Sequence, residues 1–299
     1  MLVLEKNAFK NDKKVFSRYF CMTNYTECST IVNEYSVNKG RMKKMLAGKT
    51  IIVTGGSSGM GLYMAKQFVA EGANVVITGR NEERLAEAKA FISEAGTNIA
   101  TFAMDVRDPE AAKAMVAFAD ETFGDVTGLV NNAAGNFLVP AEKLSANGWK
   151  AVIDIVLNGT FYCSSAIGNY WIDKGSKGSI INMLATYAWG AGAGVVHSAA
   201  AKAGVMSLTR TLAVEWGSQY GIRVNAIAPG PIERTGGSEK LWESEQAAQR
   251  TINSVPLRRL GTPEEIGNLA AFMMSDKASY MNGECVTLDG GQWLNTHPF

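Results

Sequence analysis

Short apolar runs alternate along the chain with longer segments in which apolar residues recur at helical spacing. The short runs stay apolar at successive positions, which is typical of parallel strands covered on both faces. We predict strands at Thr50–Thr54, Val75–Thr78, Ile99–Ala103, Gly128–Asn131, Ser179–Met183, Arg223–Ala228 and Cys285–Leu288. We predict helices at Met60–Glu71, Asn81–Ala95, Pro109–Phe123, Ser145–Ile172, His197–Gly217 and Pro263–Met274. The alternation of strand and helix predicts an α/β fold with a doubly wound parallel sheet.

The first 45 residues lack this pattern, with little periodicity and no glycine before Gly40. No apolar stretch typical of a secretory signal follows the start, and the scattered lysines are a weak sign of a transit peptide. We expect residues 1–45 to be a disordered extension or a misassigned start, with Met42 or Met45 beginning the protein. Residues 46–299 then have the length of a single domain.

The composition argues against several classes of function. Of 299 residues, 46% are hydrophobic, and the net charge is +1, so no overall field attracts nucleic acid or an anionic membrane. Four cysteines without CxxC spacing and only two histidines argue against a metal site. We expect Cys163 and Cys285 to be reduced core residues. No apolar run reaches the length of a membrane span, and we expect a cytoplasmic protein.

A glycine-rich turn, Thr54–Gly61, follows the first predicted strand and opens the first predicted helix. In this context glycine permits a tight turn and a close approach of the backbone to a pyrophosphate, which the helix N-terminus attracts. The turn therefore predicts a dinucleotide site on a Rossmann-type sheet. Its candidate cofactor-binding residues are Gly55, Ser57, Ser58, Gly59, Met60 and Gly61.

The end of the second predicted strand indicates which nicotinamide cofactor binds. An acidic residue there would accept a hydrogen bond from the ribose 2′-hydroxyl of NAD. The chain instead has Arg80 after Gly79, and a guanidinium pairs well with a 2′-phosphate. The sequence therefore predicts NADPH, although a solvated arginine at a helix start is the alternative.

Further motifs follow in order along the chain. They are Met104-Asp105-Val106, Asn131-Asn132-Ala133-Ala134-Gly135, Pro229-Gly230-Pro231-Ile232 and Leu288-Asp289-Gly290-Gly291. With the glycine turn, they resemble the short-chain dehydrogenase/reductase family from about Met45 to the C-terminus. The resemblance implies a homotetramer. It also implies cofactor contacts from Asp105, Asn132, Lys202, Pro229, Gly230 and Ile232.

The chain departs from that family at the residues that carry catalysis. Typical members place a tyrosine four residues before the active lysine, and a serine thirteen before that tyrosine. Lys202 matches the lysine, but the other two positions hold Ser198 and Ala185. A tyrosine stands nearby at Tyr187, and Asn136 follows the fourth predicted strand. This arrangement resembles the 2,4-dienoyl-CoA reductases of the same family, which act on acyl-CoA substrates.

The resemblance implies the following roles. Tyr187 and the Asn136 amide donate to the thioester oxygen of a 2,4-dienoyl-CoA, where negative charge develops during reduction. Lys202 binds the nicotinamide ribose, and Ser198 orients the cofactor or the acyl group. The substrate-binding residues that the resemblance implies are Arg107, Phe137, Ser145 and Lys240. Lys240 stands where we expect arginine in relatives, which puts phosphate binding there in doubt.

Alternatives remain open at this point. Tyr187 as a core tyrosine, Asn136 as a turn residue and Ser198 as a helix cap are structural interpretations of the same residues. We expect a structural role for His197, and we interpret residues 233–253 as a mobile lid. Reduction of a 2-enoyl-CoA, reduction of a ketone, and cofactor binding without catalysis are the competing functions.

Overall fold

The computed structural model describes residues 44–235 and 245–295, and all predicted strands occur in them. They are β1 (Thr50–Thr54), β2 (Asn74–Gly79), β3 (Ile99–Ala103), β4 (Val126–Asn131), β5 (Ser179–Met183), β6 (Arg223–Pro229) and β7 (Cys285–Leu288). They form one sheet in the order β3-β2-β1-β4-β5-β6-β7, and every neighbouring pair is parallel. This is a single Rossmann-like domain, so the predicted fold class is confirmed.

The strand order reverses between β1 and β4, because the chain builds β2 and β3 on one side of β1 and then returns to the other. In open α/β sheets, ligands bind at the carboxyl ends of the strands beside such a reversal. The candidate residues that follow β1, β2, β3, β4, β5 and β6 all leave the sheet at this same edge.

Helices occur at all the predicted positions, together with one further helix in the region interpreted as a lid, and local signals explain several of their ends. They are α1 (Gly59–Ala70), α2 (Glu82–Ser93), α3 (Pro109–Phe123), α4 (Ala146–Ile153), α5 (Gly159–Lys174), α6 (Val196–Tyr220), α7 (Glu245–Ser254) and α8 (Pro263–Met274). Asn81 caps α2 by accepting from the Arg84 N–H at 2.8 Å. Gly175 and Gly221 end α5 and α6 in the left-handed conformation that favours glycine.

Two helical segments differ from the prediction. The single helix predicted at Ser145–Ile172 is divided by a π-helical turn at Asp154–Asn158. Within that turn the Asn158 amide donates to the Asp154 carboxylate at 2.9 Å. Helix α7 lies in the region interpreted as a lid, so part of that region is regular. Residues 236–244, including Lys240, lie outside the described part of the chain.

Hydrophobic cores fill both faces of the sheet. On one face, α1 and α8 contribute Phe68 and Ile266, both fully buried. On the other face, α3, α5 and α6 pack, and Trp171 is buried with its indole N–H donating to the Val126 carbonyl at 2.6 Å. The segment Ala146–Lys174 is long and apolar enough to cross a membrane. Its α5 half packs Cys163, Ile167 and Trp171 into this second core, as a core helix does.

Candidate active site

The glycine turn after β1 has no room for side chains at several positions. Gly55 and Gly59 have φ of 64° and 53°, a region that favours glycine. A Cβ on Gly61 would lie 2.5 Å from the Gly55 carbonyl oxygen. Ser58 precedes α1 in an extended conformation, and its side chain makes no cap hydrogen bond. The first-turn N–H groups of α1 therefore keep their capacity to bind an anion.

Asn132 stabilises the glycine turn through hydrogen bonds. Its amide nitrogen donates to the carbonyls of Thr54 and Gly55, both at 3.0 Å. Its backbone N–H and that of Ala133 donate to the Thr54 hydroxyl at 3.0 and 3.1 Å. Asn132, which the sequence predicts to contact the cofactor, therefore holds the glycine turn in shape. It also ties the end of β1 to the end of β4.

Two charged groups lie side by side at the ends of β2 and β3. Gly79 pairs with Ala103, and the Met104 N–H donates to the Gly79 carbonyl at 2.8 Å, so Arg80 and Asp105 leave adjacent strands. Arg80 is exposed and has no hydrogen-bond or ion-pair partner within the described ranges. Asp105 is held by Arg107, whose hydrogen bonds lower the pKa of the carboxyl.

The segment after β6 runs across the glycine turn. A Cβ on Gly230 would lie 2.6 Å from the Asp289 Cα, so only glycine fits this close approach. Ile232 is buried and bridges to Gly261. Thr235 comes next to the turn, because a Cβ on Gly59 would meet the Thr235 side chain at 3.8 Å. The structure thus brings both predicted cofactor segments together.

Tyr187 and Ser198 form one hydrogen-bonded pair. Tyr187 lies on the short 3₁₀ turn Thr186–Ala188 after β5, and its hydroxyl is 3.1 Å from the Ser198 Oγ. Ser198 is 2% exposed and lies inside the first turn of α6, whose N-cap is Val195. The alternative that Ser198 caps this helix is therefore wrong.

Lys202 lies one turn further along α6, on the face that carries Ser198. It is 7% exposed, and its Nζ donates to the carbonyl of Met183 at the end of β5. Burial lowers the pKa of Lys202 to about 8. The lysine thus brings a positive charge, or a neutral amine at alkaline pH, to the end of β5.

Asn136 and Phe137 bring the loop after β4 to the same place. The side-chain oxygen Oδ1 of Asn136 accepts the Phe137 N–H at 2.9 Å. This bond holds the side chain against the backbone, as expected if Asn136 is a turn residue. Its amide N–H groups have no partner in the part of the chain that the structure describes, so they remain donors. The Phe137 ring, 44% exposed, lies 4.5 Å from the ring of His197, the neighbour of Ser198.

His197 is fully buried, and neither ring nitrogen has a hydrogen-bond partner in residues 44–235 or 245–295. Burial lowers the pKa of the imidazole, and the nearby Phe137 backbone opposes the shift. The neutral ring therefore packs as an apolar surface beneath Phe137. This position joins the loop after β4 to the first turn of α6.

A chain of buried polar side chains that sequence reasoning missed ties α6 to β4, β5 and α5. The Asn131 amide donates to Ser164 and to Asn182, both at 2.9 Å. The Asn182 amide donates to the Thr209 hydroxyl on α6 at 2.9 Å. Such fully satisfied networks rigidify a core. The signal was an asparagine within the apolar run Ser179–Met183.

Two of the predicted substrate residues lie close together, since a Cβ on Gly148 would lie 3.0 Å from the Phe137 ring and 3.3 Å from the Ser145 Oγ. Ser145 caps α4, and its hydroxyl accepts the Gly148 N–H at 3.1 Å. Arg107 is engaged with Asp105. Phe137 is 44% exposed and packs against the ring of His197, and Lys240 lies outside the described residues. Phe137 and Ser145 are thus neighbours, whereas Arg107 lies with Asp105 at the end of β3.

The fold, the glycine turn after β1 and the group formed by Tyr187, Ser198 and Lys202 together define a nicotinamide-dependent oxidoreductase. A family model described as "Enoyl-(Acyl carrier protein) reductase" matches residues 55–292. The chain belongs to the short-chain dehydrogenase/reductase family. A crystal structure of a short chain dehydrogenase from Bacillus anthracis is 62% identical to it, covers 84% of this chain and 98% of its own, and superposes with a TM-score of 0.77.

Two curated relatives carry more particular names. The "Probable 2,4-dienoyl-CoA reductase [(2E)-enoyl-CoA-producing]" of Bacillus subtilis (strain 168) is 66% identical over 251 residues, which are 84% of this chain and 99% of that protein. The "Peroxisomal 2,4-dienoyl-CoA reductase [(3E)-enoyl-CoA-producing]" of Danio rerio is 41% identical over 253 residues, 84% of each chain. The names agree on the substrate and differ on the product.

Proposed function

We propose that this protein uses NADPH to reduce 2,4-dienoyl-CoA thioesters to 3-enoyl-CoA in the β-oxidation of unsaturated fatty acids. The observation that carries the proposal is the Tyr187 hydroxyl at 3.1 Å from the Ser198 Oγ. A phenol from the loop after β5 reaches the helix position at which ordinary carbonyl reductases of the family hold their tyrosine. The names of the two curated relatives support the same substrate.

The chemistry of a dienoyl thioester explains why the tyrosine would come from a different element. NADPH, when bound, would supply a hydride for C5 of the substrate, and conjugation would carry the negative charge to the thioester oxygen on C1. Four extended bonds of about 1.4–1.5 Å place those two ends roughly 5 Å apart. The donor to the oxyanion must therefore lie farther from the hydride than in a ketone reductase.

The chain offers the required donors. In this proposal the Tyr187 hydroxyl and the Asn136 amide each donate to the thioester oxygen. Such donors lower a barrier by about 3–4 kcal/mol each when they are preorganised. Ser198 orients the Tyr187 hydroxyl, and the Lys202 ammonium stabilises the ribose side of the cofactor and adds a positive field.

The cofactor part of the proposal rests on Arg80. No carboxylate stands at its position, and the arginine is exposed at the carboxyl end of β2 beside the glycine turn. Ser57 lies close by, since a Cβ on Gly79 would be 3.3 Å from the Ser57 Oγ. A guanidinium and a hydroxyl are suitable donors to a 2′-phosphate.

The substrate is tested by following NADPH oxidation with 2,4-hexadienoyl-CoA, crotonyl-CoA and a simple ketone, with NADH as the control. We expect turnover of the dienoyl thioester with NADPH and little with the other pairs. The family description of an enoyl thioester reductase favours crotonyl-CoA as the second candidate. Turnover of crotonyl-CoA or the ketone without the dienoyl thioester would contradict the proposed substrate.

The product depends on where the dienolate takes up its proton. Protonation at Cα leaves the 3-enoyl-CoA that we propose, whereas protonation at C4 leaves the conjugated 2-enoyl-CoA named for the Bacillus subtilis relative. Enoyl-CoA hydratase distinguishes them, because it hydrates only the 2-enoyl product directly. We expect hydration only after an enoyl-CoA isomerase is added; direct hydration would reverse the assignment.

A further inference from the structure

A carboxylate lies beside the predicted 2′-phosphate site. Asp105 and Arg80 follow strands that pair through Gly79 and Ala103, and the charge of Arg80 contributes to the lowered pKa of Asp105. A free carboxylate here would repel a 2′-phosphate and would compete with it for the guanidinium of Arg80. A site that prefers NADPH needs this carboxylate neutralised.

Arg107 supplies that neutralisation with favourable geometry. Its Nε lies 3.0 Å from both carboxylate oxygens of Asp105, and its Nη2 lies 2.6 Å from Oδ2. Its backbone N–H donates to Oδ1 at 3.0 Å. The backbone N–H and the side chain of one residue, Arg107, make all of these contacts. Little conformational entropy is therefore lost when the pair forms.

Arg80 is left available as a result. The guanidinium of Arg80 has no partner in residues 44–235 and 245–295, although a carboxylate is near it. Asp105 instead directs its oxygens to Arg107, whose side chain is 45% exposed. Asp105 and Arg107 therefore satisfy each other's hydrogen-bonding groups, and the guanidinium of Arg80 remains available to a 2′-phosphate.

We propose that Arg107 is a specificity-determining residue for NADPH, acting through Asp105 as a positioning residue without touching the cofactor. It removes the repulsion between Asp105 and the 2′-phosphate, and it keeps Asp105 from capturing Arg80. The inference rests on the proposed use of NADPH. It differs from the expected acyl-CoA contact of Arg107, which would affect substrate binding equally with either cofactor.

The test measures the dissociation constants of NADPH and NADH for the full chain by fluorescence titration, without substrate. We expect Arg107→Gln to weaken NADPH binding about tenfold and to leave NADH binding unchanged, since only the 2′-phosphate meets the released carboxylate. Lys113→Gln is the matched control. It removes a nearby exposed cation that pairs with Glu110 at 2.7 Å, and it should leave both constants unchanged.

A double variant tests whether Arg107 acts through Asp105. In an Asp105→Asn background no carboxylate remains, so adding Arg107→Gln should no longer alter the ratio of the two constants. An unchanged ratio in Arg107→Gln alone, or an equal loss in the double variant, would overturn the inference. A raised KM for 2,4-hexadienoyl-CoA with an unchanged ratio would instead assign Arg107 to the substrate.

The same dissociation constants distinguish a failure of the proposed function from a failure of the inference about Arg107. If the wild-type protein binds NADH as tightly as NADPH, the cofactor assignment itself is wrong and the role of Arg107 falls with it. If the wild-type protein prefers NADPH and Arg80→Ala abolishes the preference while Arg107→Gln does not, NADPH use stands and only the inference about Arg107 is overturned.

Discussion

The two halves of the candidate site lie on one edge of the sheet but are built differently. The half beside β1, β2 and β3 consists largely of backbone: a turn with glycines at positive φ and a helix end without a side-chain cap. The half beside β4, β5 and β6 consists of side chains from separate loops and one helix. Its central contact joins Tyr187 and Ser198, eleven residues apart.

This difference explains which half of the site is free to change. A backbone cradle depends on glycines whose positive φ or close contacts leave no room for a side chain, so it tolerates few substitutions. A side-chain site needs only that a hydroxyl arrives at the right point. Tyr187 reaches Ser198 from another element, and in the function we propose the reaction differs while the fold and the cofactor site are retained.

The largest expected effect tests the side-chain half. Tyr187→Phe should lower kcat for 2,4-hexadienoyl-CoA about 100–1000-fold, because it removes a donor to the developing oxyanion. Dissociation constants for NADPH should not change. Tyr170→Phe is the matched control, since that hydroxyl donates to Asp120 at 2.6 Å on another part of the surface. Undiminished turnover by Tyr187→Phe would remove the tyrosine from the mechanism.

The next effect concerns the charge buried in the side-chain half. Burial lowers the pKa of Lys202 from 10.5 to about 8. Below pH 8 the amine is charged in the folded and unfolded states, and the desolvation cost is fully present. Between about pH 8 and 10.5 only the unfolded chain keeps the proton, so the free energy of unfolding rises with pH, by about 3 kcal/mol in total.

Urea denaturation at several pH values, compared between the wild-type protein and Lys202→Met, measures this effect. Other groups titrate in both proteins and cancel in the difference. We expect the wild-type protein to gain stability relative to the variant above pH 8. Parallel curves for the two proteins would show that Lys202 titrates in the fold as it does in water.

A smaller effect tests the backbone half. The Cβ of Gly61→Ala would lie 2.5 Å from the Gly55 oxygen and from the Asn132 amide nitrogen. Relieving such overlap costs about 1–3 kcal/mol, so we expect NADPH to bind roughly 10–100-fold more weakly. Gly124→Ala is the control: its Cβ meets open space, and the backbone strain that its φ of 78° adds lies outside the glycine turn, so NADPH affinity should not change. Unaltered NADPH affinity in Gly61→Ala would argue that the turn does not hold the cofactor.

The smallest effect compares two helix ends. Thr262 caps α8 by accepting the Glu265 N–H at 3.3 Å, and Glu265 in turn accepts the Thr262 N–H at 2.8 Å. Thr262→Ala should lower the free energy of unfolding by about 1 kcal/mol. Ser58→Ala should leave it within about 0.5 kcal/mol, since Ser58 makes no cap bond. Equal losses in urea denaturation would mean that Ser58 stabilises α1 after all.

Much of the fold could be predicted from local pattern. Strands β1, β3, β5 and β7 have the bounds expected from their apolar runs, and helices α3 and α8 begin at the prolines that predicted them. Helix α7 was missed because its charged and small residues are also typical of a solvated loop. The π turn at Asp154–Asn158 was missed because it leaves the helical spacing of apolar residues almost unchanged.

The sequence by itself determined the sheet, the glycine turn and the residue types at each strand end, because propensity, hydrophobic period and steric freedom act between neighbours along the chain. Only the tertiary structure decided that Arg80 and Asp105 leave adjacent strand ends, that Tyr187 meets Ser198, and that Asn182 holds α6 through Thr209. These contacts depend on how loops leave different strands and on which side chains lose water together. Their geometry arises from the packing of separate segments against one another, which no short stretch of sequence specifies.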